Sequence, residues 1–84
     1  MTITLVSIIV DSNVARLAAL MKDRYLILDR ATGKPLDRNS YGKATRWAYT
    51  QRASALINTH RANTQIKPAV MYDAKTAQTF EVTA

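Results

Sequence analysis

The chain has 84 residues, with 12 Lys and Arg against 6 Asp and Glu, a formal net charge of +6 and no Cys. This length allows one small domain, residues 1–84, with a thin core that buries about 60–65% of the unfolded surface. The missing Cys excludes a disulfide framework and a thiolate metal site, and the 48% hydrophobic share argues against a disordered chain.

The first stretch, Thr2 to Val10, is β-branched and apolar on both alternating faces, with Ile3, Leu5 and Ile9 on one side and Val6, Ile8 and Val10 on the other. It reads as a strand covered on both sides, or with one face in an interface. No Lys or Arg precedes it and it is too short to span a bilayer as a helix, so neither an export signal nor a membrane segment is expected. Asp11, Ser12 or Asn13 then caps a short helix with its apolar stripe at Val14, Leu17, Ala18 and Met21. Arg24 to Leu28 reads as a second strand. Asp29 to Lys34 is a turn that Gly33 closes in the left-handed conformation, and Pro35 and Leu36 begin a return strand at a sheet edge.

Asp37 to Gly42 is a polar loop. The periodicity then predicts a long helix over Lys43 to Arg61, with Tyr49, Ala53, Leu56, Ile57 and His60 on its core face and Trp47 on the opposite side. Ile66 to Tyr72 is read as a strand, Asp73 to Thr76 as a turn and Thr79 to Val82 as the closing strand. The two turns share an apolar-Asp-x-x-Thr pattern, Leu28 to Thr32 and Tyr72 to Thr76, which points to common turn chemistry. The resulting expectation is an α+β, two-layer domain: an antiparallel sheet with two helices on one face, in βαββαβ ferredoxin-like order with a further C-terminal strand.

The charge is uneven. Between Asp37 and Asp73 stand Arg38, Lys43, Arg46, Arg52, Arg61 and Lys67 with no acid, so this window carries the entire net charge. Such a segment favours an acidic partner: nucleic acid, an anionic membrane or an acidic protein surface. A large aromatic ringed by basic and polar groups has the composition of a binding hot spot, and also of a platform for single-stranded nucleic acid. The candidate partner-binding residues are therefore Arg38, Tyr41, Lys43, Arg46, Trp47, Thr50, Gln51 and Arg52. Against this, the small-residue strip Ala44, Ala48 and Ala55 lies beside Trp47, and packing of the first helix there would place Trp47 in the core.

No enzyme constellation is present. His60 has no second His, Cys or spaced carboxylate to work with, and Gly33-Lys34 lacks the further glycines and following hydroxyl of a phosphate-binding loop. No catalytic residue, cofactor or metal is expected. An RNA-recognition domain would need aromatics on its central strands, and Thr2 to Val10 has none.

The segment Tyr25-Leu26-Ile27-Leu28-Asp29-Arg30-Ala31-Thr32-Gly33-Lys34, followed by an Ala-rich helix and a closing hairpin, resembles very small phage-encoded accessory proteins over roughly residues 24–84. The resemblance implies a short, Cys-poor, non-enzymatic protein of the host cytoplasm that binds a host machine and inhibits or redirects it, as anti-CRISPR proteins do; it transfers no residue roles. The leading expectation is thus a basic binding protein that docks on an acidic host protein or nucleoprotein complex and modulates it. The alternatives are direct binding of DNA or RNA, and a self-assembling structural protein or homodimer that hides its apolar first strand. No membrane partner is expected.

Overall fold

The apolar runs assemble into one sheet in the computed structural model, which describes residues 1–84. Its strands are β1 (Thr2–Val6), β2 (Tyr25–Asp29), β3 (Ala48–Tyr49), β4 (Ala69–Asp73) and β5 (Gln78–Thr83), ordered β1-β5-β4-β2-β3. Every neighbouring pair is antiparallel. Two helices complete the domain, α1 (Ser12–Leu20) and α2 (Arg52–Gln65). The α+β class with an antiparallel sheet and two helices is as the sequence predicts. The strand order is not ferredoxin-like, because β1 lies at one edge and pairs only with β5. No helix is long and apolar enough to cross a membrane.

The helices do not share a face. Alternate residues of a strand point to opposite sides of the sheet. Ile27 and Met71 meet Ala55, Leu56 and Ala62 of α2, whereas Leu26, Leu28, Val70 and Tyr72 meet Val14 and Ala18 of α1. The one-face expectation fails because β2 and β4 are apolar on both sides, and each side needs its own cover. The core therefore consists of two thin clusters separated by the sheet.

The second helix begins later than expected. Residues 43–51 are extended or looped, and the helix runs from Arg52 to Gln65 rather than from Lys43 to Arg61. Thr45, Trp47, Tyr49 and Thr50 are β-branched or aromatic and suit an extended chain. The backbone groups of β2 also require partners: Tyr25 and Leu26 pair with Tyr49 and Ala48, and the Ile27 N–H donates to the Trp47 carbonyl at 2.8 Å. The buried stripe of α2 is Ala55, Leu56, Thr59 and Ala62. Tyr49 is buried as expected, but in a strand; Ile57 is half exposed and His60 half-buried. The return strand at Pro35 shrinks to a single bridge with Leu28.

The turns follow the sequence reading closely. Asp11 caps α1, its carboxylate accepting the Asn13 N–H at 2.9 Å. Asp29 and Asp73 accept from the N–H two residues on, at 2.8 and 3.0 Å. Gly33 N–H and Ala77 N–H then donate to the carbonyls of Asp29 and Asp73, both at 2.8 Å, and both residues have positive φ.

Candidate nucleic-acid or protein interface

The cationic window maps to the β3 edge of the sheet and to α2. Of its six cations only Lys67 has a carboxylate partner, Asp29 at 3.5 Å; the other ion pairs, Arg24–Asp23 and Arg30–Glu81, lie outside the window. Arg38, Lys43, Arg46, Arg52 and Arg61 are free of carboxylates, and all are exposed.

Two of them converge. The edge segment Thr45–Tyr49 runs beside one flank of α2, leaving a cleft of about 200 Å³. Its floor is apolar, with Ile27, Leu36, Ala62 and Ile66; its rim carries Arg46, Arg61, Thr45, Tyr49, Asn58 and Gln65. A shallower depression continues from Arg46 and Tyr49 to Thr50, Gln51 and Ser54. Local structure positions these groups. The Arg46 guanidinium lies over the Tyr49 ring, 4.9 Å from its centroid, while its Nε donates to the Ala48 carbonyl at 3.0 Å. Such stacking and hydrogen bonding hold a long side chain that would otherwise be mobile. The Tyr49 hydroxyl donates to the Arg46 carbonyl at 3.3 Å. On α2, Asn58 Nδ2 donates to the Ser54 carbonyl at 2.8 Å.

The candidate residues named from the sequence fall in four places. Arg46, Thr50 and Gln51 come together along the groove. Arg38, Tyr41 and Lys43 sit on a small hairpin that springs from the rim: the Thr45 N–H donates to the Asp37 carbonyl at 2.7 Å, Arg38 bridges to Ala44, and the Asn39 side chain accepts the N–H groups of Tyr41 and Lys43 at 2.9 Å. Tyr41 is 87% exposed at its tip. Arg52, in the first turn of α2, lines neither depression. Trp47 turns to the opposite face, half-buried against the α1 cluster, with Val14 and Leu17 of that helix lining the same hollow.

Sequence reasoning did not find Arg61, Asn58 or Gln65 as groove residues. Their signal is a polar row at positions 54, 58, 61 and 65, the i, i+4, i+7, i+11 spacing of one helix flank. A helix started nine residues early, at Lys43, hides the row behind the wrong core face. The groove offers only hydrogen-bond donors, neutral amides and hydroxyls around two guanidiniums, and no carboxylate lines it. Such a lining can hold an anion through charge-assisted hydrogen bonds. No family model, curated protein or solved structure matches the chain.

Proposed function

We propose that this is a non-catalytic binding protein that docks its cationic edge onto an acidic protein surface and modulates the protein that carries it. The observation behind this reading is the set of five cations without carboxylate partners, two of them converging on a groove with an apolar floor. Arginine suits this role because its planar fork takes a carboxylate bidentately, while the aliphatic floor receives the stem of an acidic side chain. A base-stacking role fits the groove less well: Trp47 is on the other face, and Arg46 occupies the ring of Tyr49. One observation favours direct nucleic-acid binding as the second reading, namely Tyr41, exposed between Arg38 and Lys43 on the projecting hairpin.

Titration with poly-glutamate and with single-stranded DNA at several salt concentrations tests both. The expected outcome is saturable poly-glutamate binding that Arg46→Gln with Arg61→Gln weakens at least about tenfold, the loss of two charge-assisted contacts. Trp47→Phe should bind as the wild type does. Unchanged poly-glutamate affinity in the double variant would refute the docking groove. DNA binding that weakens steeply as salt rises and collapses in Tyr41→Ala would transfer the function to nucleic acid.

A further inference from the structure

Sheet edges expose unpaired backbone donors and acceptors, and monomeric proteins guard them with charge, proline, bulges or brevity. The two edges here are treated differently. At one, β3 is two residues long and Arg46 already bonds to its Ala48 carbonyl. At the other, β1 runs for five residues, Thr2 to Val6, with no Pro, Gly or charged side chain; the first charged side chain in the sequence is Asp11. Ile3 and Leu5 share the α2 face with their partners Val82 and Phe80, yet they are 37% and 59% exposed. The reason is that α2 packs on β2 to β5 and does not reach β1.

We propose that β1 is the pairing edge of a two-fold homodimer, formed by antiparallel addition of β1 to β1 of a second copy, centred on Thr4. The strand is complementary to itself in this register. Thr4 faces Thr4, Ile3 faces Leu5, and Thr2 faces Val6, so apolar groups meet on the α2 face and β-branched groups on the α1 face. A two-fold axis perpendicular to the sheet keeps each face continuous, and the interface is isologous. The five-stranded sheets join into one of ten strands, which leaves neither β1 edge open.

Charge selects the second copy as the occupant. Each copy carries +6, but β1 bears no charged side chain, and Arg38, Lys43 and Arg46, in the segment leading into β3, are four strand spacings from it, roughly 19 Å at ordinary strand separation and beyond the Debye length of about 8 Å. The charged residue paired beside β1, Glu81 opposite Thr4, is neutralised by Arg30 at 3.2 Å. Two copies therefore meet at β1 without opposing like charges. An acidic partner is drawn to the far edge, and a basic one finds no carboxylate on β1. Each dimer presents its two cationic grooves outward at opposite ends.

Sedimentation velocity of the full chain from micromolar to millimolar concentration is the test, with two variants. The wild type should pass from monomer to dimer. Thr4→Lys places two ammonium groups face to face at the axis and should weaken association at least about tenfold. Its urea midpoint, read at a concentration where the wild type is monomeric, should stay at the wild-type value, because Thr4 is exposed. Thr4→Cys introduces the chain's one thiol at a position where cross-strand Cβ separation permits a disulfide, and should cross-link under mild oxidant faster than Ile9→Cys, whose site is 91% exposed. A wild type that stays monomeric at millimolar concentration overturns the proposal. So does a dimer that Thr4→Lys leaves unchanged, or Thr4→Cys cross-linking no faster than Ile9→Cys.

Discussion

Gly33 and Ala77 occupy the same place in two equivalent turns, four residues after an Asp whose side chain accepts the N–H two residues on. Their φ angles are 69° and 57°. The repeated apolar-Asp-x-x-Thr pattern made this shared chemistry legible in the sequence. It did not reveal that Gly33 is also a contact point: its carbonyl accepts the Asp11 N–H at 3.1 Å, and a Cβ there would collide with the Ile9 carbonyl oxygen. The two positions should respond in opposite directions. Gly33→Ala adds left-handed strain to a backbone clash and should cost more than about 2 kcal/mol. Ala77 is exposed, so Ala77→Gly should relieve strain and gain roughly 0.5–1 kcal/mol after the added entropy of glycine. Urea midpoints of the two variants check both signs.

At the scale of elements, α2 decides the site. Its N-cap, Gln51, makes no side-chain capping bond, and its first turn contains no acid. A helix start without a cap leaves N–H groups and the positive end of the dipole facing the groove. Gln51→Asp should therefore do two things at once. It should stabilise the fold by about 1 kcal/mol through capping, and it should weaken poly-glutamate binding by adding a negative charge beside Arg46. Gln51→Ser should stabilise without the same loss. Thermal melting paired with titration separates the effects, and equal binding by the two variants would remove Gln51 from the groove's electrostatics. The groove's cations could be listed from the acid-free window, but not their grouping, because the helix start was placed at Lys43 rather than Arg52. Ala44 and Ala48 extend an apparent helical pattern through a stretch that β2 recruits as an edge strand.

At the scale of the molecule, the sheet sets two unlike edges at opposite ends. The neutral edge lies at β1 and the cationic edge at β3. If two copies pair at β1, a long acidic chain can engage both grooves, and the second contact becomes intramolecular. The expected result is that Thr4→Lys weakens binding to long poly-glutamate at protein concentrations where the wild type is dimeric, yet leaves binding to a short glutamate oligomer unchanged. Equal loss for both lengths would mean that the substitution disturbs the groove itself rather than the pairing of copies.

The sequence by itself determined the class, the turns, a capping site ahead of α1 and the strands β2, β4 and β5, since hydrophobic alternation and Asp and Gly turn chemistry are local properties; the first strand it read as Thr2 to Val10 and covered, whereas β1 stops at Val6 and lies exposed at the sheet edge. It also showed where the excess positive charge lies, although only the fold decides which of those cations meet an acid from elsewhere, as Lys67 meets Asp29. Only the tertiary structure decided that the helices cover opposite faces, that Trp47 turns toward α1 and that Arg46 meets Arg61 across a cleft. These depend on which backbone groups of β2 remain to be paired and on which side of each strand must be buried. Such requirements arise between segments distant in the chain, so no local pattern could have carried them.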